Sequence, residues 1–224
     1  MTRWHGFRLL AVACLAPGCG GGGGGGGGGG TEPPGPPAQL AKTGGDNQTW
    51  YFNNALPSAY AVTLRDASGR AVPGVAVTWA VAAGDGSVSP TQGTTNASGV
   101  TTATHTLGPS ATTQTATATV AGIPAATFTA TAEAAPASGA VDLINITFRP
   151  ADTAVVVGGT VTWTWRDNPE QHNVTFEAGP TPRPANSTTK PTGIYEVTFT
   201  TAGVYDYTCT IHAGMDGKMR VVNP

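Results

Sequence analysis

Cys209, His212 and Met215 stand at Cys-x2-His-x2-Met within YDYTCTIHAGMDGKMRVV, residues 205–222. An alternating strand pattern leads into this stretch, and a glycine and a second strand pattern follow it, so one tight loop can turn all three side chains toward a single point. A fourth donor is expected from a neighbouring strand. His172, which opens the run HNVTF after a polar loop, occupies the place from which a side chain would reach across the end of a sandwich. A thiolate, two imidazoles and a weak thioether suit copper cycling between its two oxidation states, whereas a thioether is a poor zinc ligand. Met219 competes with Met215 for the thioether's place, but it shares its parity with Val221 in the last strand and is expected in the core.

The elements that must position these residues are short and β-like. Runs at 141–148, 154–157, 160–165, 172–176, 195–199, 204–209 and 218–222 read as strands. Val161, Trp163 and Trp165 share one face and Thr160, Thr162 and Thr164 the other, while Tyr205, Tyr207 and Cys209 fall on one parity. Residues 140–224 are therefore expected to form a two-sheet β-sandwich or barrel with the donors at one end.

The motifs resemble those of the plastocyanin and amicyanin-like blue-copper cupredoxins. That family typically shows a Gly-Asp/Glu-Thr-Val-x-Trp strand, a His-Asn-Val, and Tyr-x-Tyr-x-Cys-x2-His with a Met shortly after. This chain has Gly159-Thr160-Val161-Thr162-Trp163, His172-Asn173-Val174, and Tyr205-Asp206-Tyr207-Thr208-Cys209 with His212 and Met215. The short Cys-x2-His-x2-Met loop looks more like amicyanin than plastocyanin. Gly159 departs from the acidic residue of the first motif, and Ala213 from the proline that often follows the second histidine; neither change removes a donor. The resemblance implies a Greek-key cupredoxin fold and one type 1 copper ion on His172, Cys209, His212 and Met215. It also implies that Asn173 ties the ligand loops together by hydrogen bonds.

The expected function is single-electron transfer between redox partner proteins, with His212 as the route at the surface and the small, uncharged Ala213 and Gly214 beside it. The alternative is an envelope copper-binding or delivery protein, or an adhesion module with a structural copper site. A delivery protein would carry exposed Met or His clusters, and none is evident. Enzyme chemistry is not expected. A multicopper oxidase needs many histidines in His-x-His pairs and this chain has four in all, and a binuclear copper loop needs two cysteines where only Cys209 is present.

The rest of the chain bounds the setting. Charged residues are only 11% of the 224 and the net charge is −2, with no basic stripe, so nucleic acid is not an expected partner. Residues 1–19, MTRWHGFRLLAVACLAPGC, carry early arginines and a short apolar run from Leu9 to Ala16, the anatomy of an export signal. Leu15-Ala16-Pro17-Gly18-Cys19 resembles a bacterial lipobox, which implies lipidation of Cys19 and a membrane anchor in the cell envelope, at the periplasm or cell surface. Removal of Cys14 and acylation of Cys19 would leave Cys209 as the one free thiol, and a lone thiol in an oxidising compartment with a histidine three residues on points to metal ligation. Residues 20–37, a glycine run continuing as TEPPGPP, cannot bury a core and read as a disordered tether spanning roughly 25 Å.

Residues 38–134 show alternating runs at 59–64, 75–81, 100–107, 115–120 and 126–132, separated by turn clusters such as Asn96-Ala97-Ser98-Gly99. This stretch resembles the bacterial immunoglobulin-like domains of intimin and invasin stalks, which implies architecture only. Trp79 is expected in its core. His105 has no second donor at ligand spacing and reads as an ordinary strand residue. Residues 135–139 form a junction. The whole chain is therefore expected to be all-β, an immunoglobulin-like sandwich followed by a cupredoxin sandwich.

Overall fold

The computed structural model describes residues 32–110 and 112–224. The expected export signal, Cys19 and the glycine run lie outside the described residues. Seventeen strands and no helix make up the described residues, in four sheets.

Nine strands belong to the first two sheets. One sheet orders β1 (Pro37–Gly44), β3 (Tyr60–Asp66), β7 (Val100–Thr106) and β5 (Ser87–Ser89). The other orders β2 (Gln48–Tyr51), β9 (Ala126–Glu133), β8 (Thr113–Thr119), β4 (Ala76–Ala83) and β6 (Gln92–Thr94). Alternation decides which faces meet. In β7 the buried positions are Thr101, Ala103 and His105, and in β8 they are Gln114, Ala116 and Ala118, with threonines turned outward between them. One apolar cluster, including Tyr60, Val77, Trp79, Leu107 and Phe128, joins both sheets.

The remaining strands build the half of the molecule that carries the candidate donor residues. One sheet orders β11 (Thr147–Arg149), β10 (Ser138–Ile144), β13 (Thr160–Trp165) and β15 (Gly193–Thr198). The other orders β12 (Asp152–Val156), β17 (Asp216–Val222), β16 (Gly203–Thr208) and β14 (Thr175–Ala178). β10 runs parallel to β13 and β12 parallel to β17; the other pairs are antiparallel. Threonine and valine alternation in β13 puts Val161, Trp163 and Trp165 inside, where they meet Phe176, Phe199, Tyr205 and Tyr207. Trp163 sits at the centre, with the rings of Phe176, Tyr195, Phe199 and Tyr207 all within 6.4 Å of it, centroid to centroid.

Several boundaries differ from the sequence expectation. β1 begins at Pro37, the last residue assigned to the tether, and the Gly35 amide is held 2.8 Å from Asp66 Oδ2. β10 begins at Ser138, inside the expected junction, because its parallel register with β13 starts at Ser138 opposite Thr160. The single strand expected at 141–148 is two strands folded at Asn145-Ile146, both at positive φ (52° and 56°). His172 is not the first residue of a strand; it makes one isolated bridge to Lys190, and β14 starts at Thr175. Gly159, the departure from the family's acidic residue, lies where the backbone is crowded: a Cβ there would be 2.8 Å from the Val156 carbonyl oxygen.

The two halves touch away from the donor loops. Asn54 Nδ2 donates to the Asn223 carbonyl at 3.1 Å, its Oδ1 accepts the Asn223 amide at 2.9 Å, and the Arg220 guanidinium lies 6.0 Å from the Trp50 ring centroid. β17 reaches these residues at its far end, whereas its first residue, Asp216, follows directly on Met215.

Candidate metal centre

Three connections converge at one end of the second half: the β10–β11 turn, the loop from Arg166 to Val174, and the β16–β17 loop from Cys209 to Met215. The last loop closes on itself. The Cys209 amide donates to the Met215 carbonyl at 2.9 Å, while the amides of His212 and Met215 each reach the carbonyl three residues back, at 3.3 Å. Cys209 and Met215 are buried and His212 is half-buried. Beneath the loop, Gly217 lies against the Tyr207 ring, and a Cβ there would be 2.3 Å from Tyr207 Cζ, so the close approach of β17 to β16 excludes a side chain. Burial pushes the Tyr207 phenol up to about 12, which keeps it neutral beside the core.

His172 is fixed from its backbone. Its amide donates to the Lys190 carbonyl at 3.0 Å, and its carbonyl accepts both the Lys190 amide at 3.1 Å and the Trp165 indole N–H at 2.9 Å. The Lys190 ammonium sits 4.5 Å from the Trp165 ring centroid, capping the same indole. This leaves the His172 ring fully buried.

The donor atoms come together. Ligand atoms of His172, Cys209 and His212 all lie within 4.8 Å of one another. The two Nδ1 atoms are 3.1 Å apart, and Cys209 Sγ is 3.5 Å from His212 Nδ1 and 4.0 Å from His172 Nδ1. On the far side of each ring a carboxylate waits: Asp167 Oδ1 is 3.0 Å from His172 Nε2, and Glu170 Oε1 is 2.9 Å from His212 Nε2. An ionised carboxylate only accepts hydrogen bonds, so each Nε2 carries a proton, and in the neutral ring Nδ1 is then the nitrogen free to ligate a metal. Two imidazole nitrogens and a sulfur then face one another across a few ångströms, a set of donor atoms that one cation can bridge. The donor set therefore fits a soft, thiophilic metal, and its chemistry suits copper.

Further side chains brace the cluster. The Asn173 amide N–H lies 3.5 Å from Cys209 Sγ, its Nδ2 donates to Thr189 Oγ1 at 2.9 Å and Thr210 Oγ1 at 2.8 Å, and its Oδ1 accepts the Thr210 amide at 2.9 Å. Asp167 has a second task, since its Oδ2 accepts the Asn145 amide at 2.7 Å and so ties the β10–β11 turn to the His172 ring. Met215 and Met219 are both buried in the same apolar cluster. Sequence reasoning did not single out Asp167, Glu170 or Lys190 and gave Trp165 a core place but no part in the site, because each acts on a partner that only the fold brings near.

Fold and donor set thus define a cupredoxin-like domain. Residues 137–222 match the family model described as copper binding proteins, plastocyanin/azurin family. The chain is 40% identical over 101 residues to the amicyanin of Paracoccus denitrificans, covering 44% of this chain and 76% of that protein. It is 33% identical over 105 residues to amicyanin-alpha of Methylorubrum extorquens, covering 45% and 86% respectively. The chain belongs to the plastocyanin/azurin family of copper-binding proteins. Among solved structures, a reduced amicyanin variant is 38% identical with a TM-score of 0.33, covering 38% of this chain and 82% of its own. A purple cupredoxin from Nitrosopumilus maritimus is 28% identical with a TM-score of 0.33, covering 38% and 99%.

Proposed function

We propose that the Nδ1 atoms of His172 and His212, the Cys209 thiolate and the Met215 thioether hold one type 1 copper ion, and that the protein carries single electrons between redox partners. The observation that carries this reading is the inward turn of both Nδ1 atoms onto Cys209 Sγ while both Nε2 atoms face carboxylates. Bound copper would supply a one-electron couple. The residues supply a cage that need not rearrange: His172 is held by Lys190 and Trp165, and the Cys209 loop by its own turns and by Asn173. Little ligand movement between oxidation states is what an electron carrier requires, and the likeness to amicyanins supports a carrier rather than an enzyme.

The exit route runs through His212, the least buried of the three donors in the cluster. Ile211 beside it is 49% exposed and Ile146, on the turn held by Asp167, is 47% exposed; with Ala213 and Gly214 they support a weak, transient docking patch for a redox partner. Among the described residues the N-terminal half touches the cupredoxin half through Asn223 and Arg220, away from this end. Its two-sheet build and turn spacing support an immunoglobulin-like spacer. The leader and its lipobox-like end support export to the cell envelope and anchoring through Cys19, with recovery of a Cys19→Ser chain from the soluble fraction as the check.

The deciding experiment is visible absorption and electron paramagnetic resonance of the exported chain with Cu(II), alongside Cys209→Ser. An intense blue thiolate-to-copper band with small copper hyperfine splitting, absent from the variant, is the expected result. A colourless protein with ordinary Cu(II) signals would remove the electron-carrier reading.

A further inference from the structure

We infer that Glu170 is a positioning residue for His212, holding the partly buried imidazole with its Nδ1 toward Cys209 and its Nε2 proton outward. The inference rests on the copper reading in treating His212 as a ligand.

The two imidazoles of the cluster are held very differently. His172 is fully buried, its backbone is pinned by Lys190 and Trp165, and its ring can hardly turn. His212 has no comparable enclosure. Its neighbours Ile211, Ala213 and Gly214 are exposed, and residue 213 is alanine, so the chain after the ligand keeps the φ freedom that a proline ring would remove. The His212 side chain keeps 15% of its surface exposed where that of His172 keeps none. Within this cluster, the polar contact on the outer edge of the ring is Glu170 Oε1, 2.9 Å from Nε2.

Glu170 is itself well placed for this. The Glu170 amide donates to the Asp167 carbonyl at 2.9 Å, closing a turn across Asp167–Glu170. The same turn sends Asp167 to His172 and Glu170 to His212, so a four-residue segment orients both rings. A single hydrogen bond to a carboxylate that is itself about half exposed adds little to folding stability. Its effect is instead on which way one ring faces, and a hydrogen-bonded partner on the outer nitrogen commonly changes metal retention by about tenfold or more.

The test uses the full exported chain as wild type, Glu170→Ala, Glu170→Gln and, as a control on an exposed carboxylate outside the cluster, Glu177→Ala. Proton NMR of the metal-free chain at one neutral pH reads the two ring Nε2 protons. The His212 proton is expected to be protected from exchange in wild type, lost in Glu170→Ala and retained in Glu170→Gln, whose amide oxygen still accepts. The His172 proton, held by Asp167, should persist in all four. Transfer of Cu(I) from the loaded protein to a chelator should be about tenfold faster in Glu170→Ala than in wild type, near the wild-type rate in Glu170→Gln and unchanged in Glu177→Ala. A His212 Nε2 proton that is unprotected in wild type, or that survives in Glu170→Ala, overturns the inference whatever the transfer rates. A protected proton in a chain that gives no blue copper band would overturn the copper reading instead.

Discussion

Two histidines, His105 and His172, are fully buried, one in each half of the molecule, and they have opposite fates. His105 lies on the inward face of β7, with Nδ1 3.1 Å from the Tyr60 hydroxyl and Nε2 lacking a hydrogen-bond partner among the described residues. Its surroundings are the Tyr60 and Phe128 rings, stacked 4.4 Å apart, and the apolar cluster behind them. His172 lies on a loop end, with a carboxylate on one nitrogen and a second imidazole and a thiol facing the other. Burial alone therefore says nothing about chemistry. A buried imidazole with one neutral partner is a packing residue; the same ring with converging donors is a candidate metal ligand.

The comparison can be broken most directly by deleting each ring. His172→Ala should abolish the intense visible copper band, while His105→Ala should leave its position and intensity unchanged once the protein is folded and loaded; absorption after Cu(II) addition decides. A band that survives His172→Ala would mean that the donors are not the ones assigned.

Stability should respond the other way round. His105→Ala opens a cavity and strips Tyr60 of its partner, an expected loss of about 2–4 kcal/mol in urea denaturation of the metal-free protein. Acid sharpens this. Burial lowers the His105 pKa below its ordinary value of 6.5, so the unfolded chain binds the proton more readily than the folded one. The stability contributed by the neutral ring is fully present above about 6.5 and is lost as pH falls from there toward the lower folded value. His105→Ala should flatten that part of the pH profile, and an unchanged slope between neutral and mildly acidic pH would assign the loss to other groups.

The smallest expected effect concerns the brace rather than a ring. Asn173→Ala removes the side-chain bonds to Thr189 and Thr210 and leaves the Thr210 amide without its acceptor, an expected loss of about 1–3 kcal/mol in the same denaturation measurement. The blue band should remain but shift, since the loop carrying Cys209 loses its tie to the loop carrying His172. A band at the wild-type wavelength would show that the loop's own turns suffice.

Much of this was legible in the sequence. The Cys-x2-His-x2-Met spacing after a period-2 strand placed Cys209, His212 and Met215 on one loop, and the alternation of Val161, Trp163 and Trp165 identified the inner face of β13. Long periodic runs such as β4, β7, β8 and β9 were legible for the same reason, since a two-residue period records burial on one face directly. The edge strands β2, β5 and β6 were not, because three or four residues are too few to show a period. The turn at Asn145-Ile146 left no trace either. An isoleucine is a poor occupant of positive φ, and part of what holds the turn is the Asp167 carboxylate, twenty-two residues on.

Residue types and short-range spacing by themselves determined the donor inventory and the all-β class, because both are local properties of the chain. Only the tertiary structure decided that Asp167 and Glu170 face the two rings, that Lys190 and Trp165 pin His172, and that His105 is shut against Tyr60. Those contacts join residues from 5 to 45 positions apart, through loops whose paths depend on which strands pair. No local pattern encodes such a meeting, since it is set by the register of the sheets and the lengths of the turns between them.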